Sequence, residues 1–436
     1  MSAAQEAPTL AETPPGPPLR RNRDFLKLWT GAGISILGTR VGTVAYPLLM
    51  VWQNGSTVDA GLVGFAALLP LLLVQLPAGV VVDRWDRRRT MIACDVAGLL
   101  AMGSVGLVLL SGRVLLPHLM AAAFVEAAAG IFYRLAERAA VRNVVEPRHL
   151  SAALSQNEAR GRAAGLLGQP LGSSLFTVSR GLPFVFTAAG HLFALLTLLA
   201  IRKDLQSERT AVRKDLRAEL AEGFAWLWRQ RFLRTAVSLV AGTNILFQVL
   251  SLTLVVIVKE SGSSPAVIGV IGTVSGVGGV CGALAGSWFG RRFSVSAILR
   301  GVFAAWTVLM PMVALSDNPL ALGGVFAGLT FAGALMNVAA GVYQVQVTPD
   351  RLQGRVSSVA MLLTSGTNSL GPLIAGFLLG AVGTTSTVLG VGVAMLVTTV
   401  AALLSPAVRD AAGTPAAGPV DGPPERAAHS PDTEEI

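Results

Sequence analysis

Long apolar runs alternate with short polar turns along almost the whole chain. Twelve such runs can be drawn, over residues 26–52, 59–82, 89–110, 116–142, 151–178, 182–201, 233–258, 265–289, 295–315, 319–346, 355–380 and 384–407. An α-helix needs about 20 residues to cross a bilayer core of roughly 30 Å, and the runs are of that order. Gly and Pro recur inside them, as helices in lipid tolerate and soluble helices do not. The pattern predicts an all-α integral membrane protein with twelve transmembrane helices. A longer polar stretch, Arg202 to Arg234, separates the sixth run from the seventh and holds nine basic residues. Leu216, Leu220, Phe224 and Leu227 recur there at helical spacing, and Trp226, Trp228 and Phe232 follow. This predicts an amphipathic helix lying on the inner leaflet, with a solvated linker helix as the alternative.

The expected organisation is a disordered tail over 1–24, a six-helix bundle over 25–201, a linker over 202–232, a second six-helix bundle over 233–407 and a disordered tail over 408–436. The first nineteen residues are rich in Pro, Ala and Thr and have no apolar core, which argues against a signal peptide. Hydrophobic residues make up 52% and charged residues 14% of 436, a balance that excludes a soluble chain of this length. The net charge of +9 is spread over the ends of the apolar runs rather than gathered in one patch, so it does not imply nucleic acid. With both termini cytoplasmic, the outer loops hold only Arg113, Arg180 and Lys259, and Arg40 lies within the first run. The rest of the 34 Lys and Arg fall at or near the inner side, which sets the orientation in a cell membrane. Cys94 and Cys281 both lie within runs, so no disulfide framework is implied.

The most informative turn is Gly79 to Thr90, GVVVDRWDRRRT, between the second and third runs. Its shortness makes those helices antiparallel neighbours, and Arg84, Arg87, Arg88 and Arg89 pin it to the cytoplasmic side. Gly79 permits close helix approach, and Asp83 with Arg84 can form a charge latch. This stretch resembles the signature between helices 2 and 3 of the major facilitator superfamily, through Gly79, Asp83, Arg84, Arg87 and Arg88. Many members carry a glycine where this chain has Asp86. The D-R-W-D-R-R variant is similar to the branch of enterobactin-type siderophore exporters and macrolide or multidrug efflux permeases. The resemblance implies that these residues tie helix 2 to the other half and govern gating.

The two halves repeat weakly. Pro147, Leu150 and Pro170 correspond to Pro349, Leu352 and Pro372, and Ala78, Gly79 and Arg84 to Ala285, Gly286 and Arg291. Parallel halves related by an axis along the membrane normal fit this pattern. The second corner has Gly290 in place of Asp83, so the latch is one-sided. TPDRLQGRVSS, with Gly354 and Arg355, also resembles the family.

Ionisable side chains inside a span usually face a cavity or a partner. Arg40, Glu126 and Arg162 approach the midplane, where such transporters hold substrate and coupling ions. Glu126 is the candidate proton carrier, with a permanent Glu126–Arg162 pair locking two helices as the alternative. Asp95, near the inner face, can receive Arg84 or Arg88. Glu137 reads as part of a surface cluster with Arg134 and Arg138; family members use carboxylates near there to complete the latch. The fifth run contains GLLGQPLGSS. Gly168 and Gly172 match the G-x-x-x-G-P-x-x-G-G pattern of proton-coupled antiporters, but Gln169 takes the proline place, Pro170 follows and Ser173 replaces a glycine. Gly371, Pro372 and Gly376 form a cleaner stretch in the eleventh run. Packing and bending alone would explain both. Asn244, Gln248, Asn337 and Asn368 can bond a substrate or a neighbouring helix, and Tyr46 and Gln75 are cavity-lining candidates. His191 reads as a packing residue.

No metal-ligand cluster, phosphate loop or nucleophile–base set stands out, so neither an enzyme nor a cofactor is expected beyond the proton gradient. The expected function is export of a small amphipathic molecule by proton antiport, each chain holding a full pathway. An uncoupled facilitator or lipid flippase is the first alternative, and a transport-inactive sensor the second.

Overall fold

The structure, a computed structural model, describes residues 19–206 and 216–410. The expected tails over 1–18 and 411–436, and linker residues 207–215, lie outside the described residues. Among the described residues regular structure is helical, without a β-strand. The first half comprises α1 (Arg23–Gln53), α2a (Thr57–Leu73), α2b (Gln75–Arg84), α3 (Arg87–Leu110), α4 (Leu116–Val144), α5 (Leu150–Val178) and α6 (Leu182–Leu199). A linker helix (Leu216–Arg229) leads to α7 (Arg231–Glu260), α8 (Ala266–Arg292), α9 (Val295–Met312) and α10 (Pro319–Val347). α11 begins at Gln353–Gly366 and passes through a 3-10 turn into Leu370–Leu404. Gly383, at φ +77°, turns the chain there, and residues 384–404 form α12. That left-handed conformation suits a residue without a Cβ.

Nine helices among the described residues are long and apolar enough to cross a membrane, and the bent α2 makes a tenth. One of the nine, Asp350–Leu404, holds both α11 and α12. With α5, which is too polar to meet that criterion, the crossing elements number twelve. In lipid each backbone N–H must find its partner within the helix, so the apolar runs have no other viable form. Their starts are fixed locally: Asn22, Ser56, Asp86, Ser294 and Asn318 each accept a backbone N–H of the first turn.

Three details differ from the sequence reading. The second span is not one helix but bends by 54° at Val74. Pro77 lacks the N–H that would bond Leu73, and its ring crowds that carbonyl, which accounts for the break. The polar ends are also better ordered than expected of tails. Leu19 is buried and Asn22 donates to the Val144 carbonyl at 3.0 Å, while Val408 is buried and its carbonyl accepts from Ser296. Finally, part of the linker helix's apolar face meets protein. Leu227, with Leu220 and Trp226, packs on Leu352, Val356 and Val359 at the start of α11. Arg355 binds Glu219 at 3.0 Å and also pairs with Glu222. Phe224 and Trp228 remain exposed and stack on each other at 4.9 Å.

We call the side carrying the linker helix and the Arg84–Arg89 corner the linker face, and the opposite side the far face. Two close approaches join the halves, both in the half of the structure toward the far face. In the first, α2a meets α11: a Cβ on Gly61 would lie 2.6 Å from the Pro372 carbonyl and 2.9 Å from the Gly376 Cα. In the second, α5 meets α8: a Cβ on Gly269 would lie 2.7 Å from the Pro170 Cα and collide with the Ser173 hydroxyl. Hydrogen bonds between described residues cross from half to half here too, from Thr57 to Gly376 (3.1 Å), from Gln169 to Ile268 (3.4 Å) and from Lys259 to Val51. On the linker face α2b packs on α4 of its own half, and the linker helix on α7 and α11 of the other. Within the second half, Gly278, Gly282 and Gly286 of α8 lie against Ala327, Phe331 and Val338 of α10. Small residues one turn apart let the two backbones touch.

These contacts predict that Gly61→Leu or Gly269→Leu forces the far face apart. Overpacking of this kind costs about 1–3 kcal/mol. Maleimide labelling of a cysteine introduced at Thr57 is expected to rise, with a lower melting temperature. Gly103→Leu, where a Cβ meets nothing within 4 Å, is expected to leave both unchanged.

Candidate functional site

Every buried acid, arginine and histidine among the described residues lies in the first half: Asp95, Glu126, Glu137, Arg160 and His191. The buried polar residues of the second half are hydroxyls, such as Thr243, Thr253, Ser296 and Thr399. The two halves therefore contribute different chemistry to the opening between them.

Glu126 of α4 is 2% exposed and its Oε1 has no hydrogen-bond partner. Thr39 lies against it, and His191, Arg134 and Arg40 act on it electrostatically. Arg40 of α1 and Arg134 of α4 are the two cations that act on this interior carboxylate. The expected grouping of Glu126 with Arg40 is present, but Arg162 is not part of it. Arg162 pairs with Glu158 at 2.9 Å on an open surface, the two side chains 74% and 69% exposed. Two residues are about 200° of helix, so the buried arginine of α5 is Arg160 instead.

Arg160 donates to Glu137 at 2.7 Å and to the Trp29 carbonyl at 3.0 Å, and its guanidinium lies 5.9 Å from the Trp29 ring centroid. Asn157 also donates to Glu137, at 3.3 Å. Glu137 is therefore a buried clamp between α4 and α5 rather than a member of a surface cluster; only Arg134 and Arg138 are exposed. Arg160 shares a helix face with Ala153, Ala164, Gly168 and Gly172, all buried. That phase marks it as inward-facing, and Arg162 lies off it.

Asp95 is wholly buried and receives neither Arg84 nor Arg88. Its Oδ1 lies 3.1 Å from Nδ1 of His191 and 3.4 Å from the Ser35 hydroxyl, with Ser35 also 3.2 Å from Nδ1. His191 is thus bonded to an acid rather than merely packed. The basic corner holds its own half together. Arg88 donates to the Leu198 and Leu199 carbonyls at 3.4 and 3.1 Å, at the end of α6 where carbonyls lack partners. Arg87 donates to Ala139 at 3.2 Å and to Leu205 at 3.5 Å. Asp83 and Arg84 are exposed and form no ion pair with each other, and a Cβ on Gly79 would meet nothing within 4 Å. The expected latch is absent from this conformation, and Asp86 serves instead as the cap of α3.

The second half presents a cavity of ≈ 450 Å³ between α7, α10 and α11, lined by Asn244, Asn337, Tyr343, Gln344, Ser357 and Thr364 among apolar residues. Asn244 also donates to the Thr364 carbonyl at 2.8 Å. A second hollow of ≈ 640 Å³ lies between α1 and α5, walled by Trp29, Ile34, Leu37, Gln156, Arg160 and Leu167. Tyr46 does not line a cavity: it is 1% exposed and its hydroxyl contacts the Met102 sulfur at 3.5 Å. Gln248 packs on Gly371, Asn368 sits in the 3-10 turn of α11, and Gln75, at the bend of α2, keeps a buried Oε1 without a partner. Gly168 and Gly172 accept Arg40 and Val41 of α1. Among the described residues no three His, Cys, Asp or Glu side chains gather to hold a metal.

Two six-helix halves meeting through α2–α11 and α5–α8, with buried charge in an apolar chain, define a multi-pass membrane transporter of the major facilitator fold. Solved structures agree on the fold. The nucleoside transporter NupG superposes with a TM-score of 0.69 at 14% identity, over 88% of this chain and 98% of that one. An inward-facing, unoccupied bacterial homologue of the lysosomal transporter Spinster gives 0.65 at 16%, over 90% and 96%. The chain belongs to the transmembrane secretion effector family of the major facilitator superfamily, whose model matches residues 14–423. It is a membrane transporter, not an enzyme. The multidrug efflux pump Tap of Mycolicibacterium fortuitum is 27% identical over 399 residues, 88% of this chain and 95% of that protein. YfiS of Bacillus subtilis, an MFS-type transporter, is 24% identical over 371 residues, 81% and 86% of the two chains.

Removing one partner of the Arg160–Glu137 pair leaves a buried charge uncompensated, which costs about 3–5 kcal/mol. Arg160→Ala and Glu137→Ala are each expected to lower the melting temperature of the purified protein markedly. The pair replaced together by Met and Leu is expected to recover most of the loss. Arg162→Ala, at an exposed pair, is expected to change stability by less than about 0.5 kcal/mol.

Proposed function

We propose that this transporter exports small amphipathic organic molecules from the cell by proton antiport. The observation that carries the reading is Glu126, a buried carboxylate with one oxygen unpartnered, under the electrostatic influence of Arg134 and Arg40. Such a group exchanges a proton with the opening and changes the local charge from negative to neutral as it does so. A cargo entering between the halves then meets two cations and a carboxylate of variable charge on one side. On the other it meets the neutral amides and hydroxyls of the ≈ 450 Å³ cavity. That volume suits a drug-sized molecule, and the lining rewards apolar surface with a few polar groups. The naming of the Tap relatives as multidrug efflux pumps supports the same direction and breadth of transport.

In this reading the linker face and both termini are cytoplasmic, following the basic corner and linker. The conformation, joined near the far face, is then open to the cytoplasm and ready to load. Each chain works alone, with lipid as its surroundings and no nucleic acid as partner. The helix α5 stretch around Pro170 and Ser173 lends no separate support to antiport, because α8 already uses it for packing.

The test is flux in proteoliposomes loaded with an amphipathic dye such as ethidium, under an imposed pH gradient. Glu126→Gln is expected to reduce gradient-driven transport roughly tenfold or more, while Arg162→Ala retains most of it. Equal flux with and without the gradient would instead establish an uncoupled facilitator. Orientation is checked after replacing Cys94 and Cys281 by Ser: a cysteine at Trp85 should label only from the cytoplasmic side, and one at Ser263 only from outside.

A further inference from the structure

The ≈ 640 Å³ hollow between α1 and α5 serves neither the clamp beside it nor the buried carboxylate of α4. Its wall is polar toward the linker face, at Trp29, Thr30 and Arg160, and apolar toward the interior, at Ile34, Leu37 and Leu167. At 1.5 Å per residue, Trp29 to Leu37 spans about 12 Å. Thr30, Ala163 and Leu167 are exposed, so the hollow is open to a guest. It also has a counterpart across the molecule. The repeat that takes Pro170 to Pro372 takes Ala159 and Ala163 to Met361 and Ser365, which line the ≈ 450 Å³ cavity of the second half.

Two donors in the polar end of this wall lack acceptors. Arg160, 8% exposed, spends Nη1 on the Trp29 carbonyl and Nη2 on Glu137, while its Nε is unpartnered. The indole Nε1 of Trp29, whose ring centroid lies 5.9 Å from the guanidinium, is unpartnered too. Gly33 of α1 leaves the arginine bare on this side: a Cβ there would lie 3.0 Å from Arg160 Cδ and 4.0 Å from Nε. The Thr30 hydroxyl is already engaged, donating to the Leu26 carbonyl at 2.8 Å. Indole and guanidinium N–H groups only donate, and a buried one left alone is costly, so the missing member is an acceptor. Glu137 already neutralises Arg160, so that acceptor needs no charge. We propose that the hollow binds an uncharged amphiphile, with its amide, ester or ketone oxygen against Trp29 and Arg160 and its apolar body along Ile34, Leu37 and Leu167. The Trp29 ring is itself part of the wall, so a turn of the indole brings Nε1 to the guest. Two sources offer this chemistry, the ester carbonyl of a membrane lipid and a free cargo molecule.

The site rests on the export reading only for the fate of the guest, and its test needs no gradient. The whole chain is held in lipid nanodiscs with an N,N-dimethyl fatty amide that carries a photoreactive diazirine midway along its chain. Irradiation followed by mass spectrometry is expected to place the label on Leu37, Ala163 or Leu167. The same diazirine chain without the amide is expected to label them less by roughly threefold or more, the contribution of one hydrogen bond. Trp29→Phe, which keeps a ring and removes the donor, is expected to reduce amide labelling by a similar factor. Ala163→Trp fills the hollow and is expected to abolish labelling; where that variant does not elute as a single species, the comparison of amide with plain chain decides. The source of the guest is read from the fluorine resonance of 5-fluorotryptophan at Trp29, assigned by Trp29→Phe. A resonance that differs between nanodiscs of ester-linked and of ether-linked lipid names the lipid carbonyl as the guest. One that is the same in both and shifts when the amide is added names a free amphiphile. Equal labelling by amide and plain chain, or labelling indifferent to Trp29→Phe, overturns the proposal. So does a Trp29 resonance that neither lipid nor amide moves, the mark of a bound water only. Labelling of the hollow without gradient-driven flux would instead remove the export reading and leave this site standing.

Discussion

The architecture depends on two places where a glycine of one half takes the backbone of a proline-bearing helix from the other. Gly61 against Pro372 and Gly269 against Pro170 bring α2 to α11 and α5 to α8 without room for a methyl group. In lipid there is no gain from removing apolar surface from water, so association between helices relies on such close packing. The pairs are also related by the internal repeat, since Pro170 and Pro372 occupy equivalent positions of the fifth and eleventh spans. Each half thus supplies one proline-bearing helix and one glycine-bearing helix, and the joint is pseudo-symmetric about the axis between them.

Away from that joint, each half is braced within itself. Arg87 and Arg88 bond carbonyls near the ends of α4 and α6, Glu137 and Arg160 clamp α4 to α5, and Arg355 holds the linker helix to the start of α11. Two stiff bodies sharing a small contact can change their relation while their interiors stay intact. The Asp83–Arg84 latch is absent from this conformation, in which α2b packs on α4 of its own half and a Cβ on Gly79 would meet nothing within 4 Å. The corner's arginines work at present as helix-end anchors.

Much of this was legible in the chain. Run length and turn chemistry indicated twelve crossings, and the corner and proline repeats indicated the fold family, because lipid leaves an apolar run of that length one structure to adopt. Glu126 with Arg40 was legible by depth along the helix. Depth, however, does not specify azimuth, and that is why Arg162 was expected where Arg160 stands. Glu137 and Asp95 were misplaced for a related reason: nearby basic residues in sequence suggested partners that face elsewhere, while the true partners lie on helices distant in the chain. The bend of α2 was written in Pro77. The docking of the linker helix on α11 was not, since an apolar stripe that faces protein reads the same as one that faces lipid.

The confinement of buried ionisable groups to the first half has an evolutionary consequence. On the export reading, energy conversion is encoded in one bundle and cargo discrimination largely in the hydroxyl- and amide-lined wall of the other. Exchanges at Asn244, Asn337, Gln344 or Ser357 alter size and polarity there without adding charge or disturbing the ionic framework opposite. A lineage built this way can drift toward new compounds through small neutral steps, keeping its drive mechanism intact throughout.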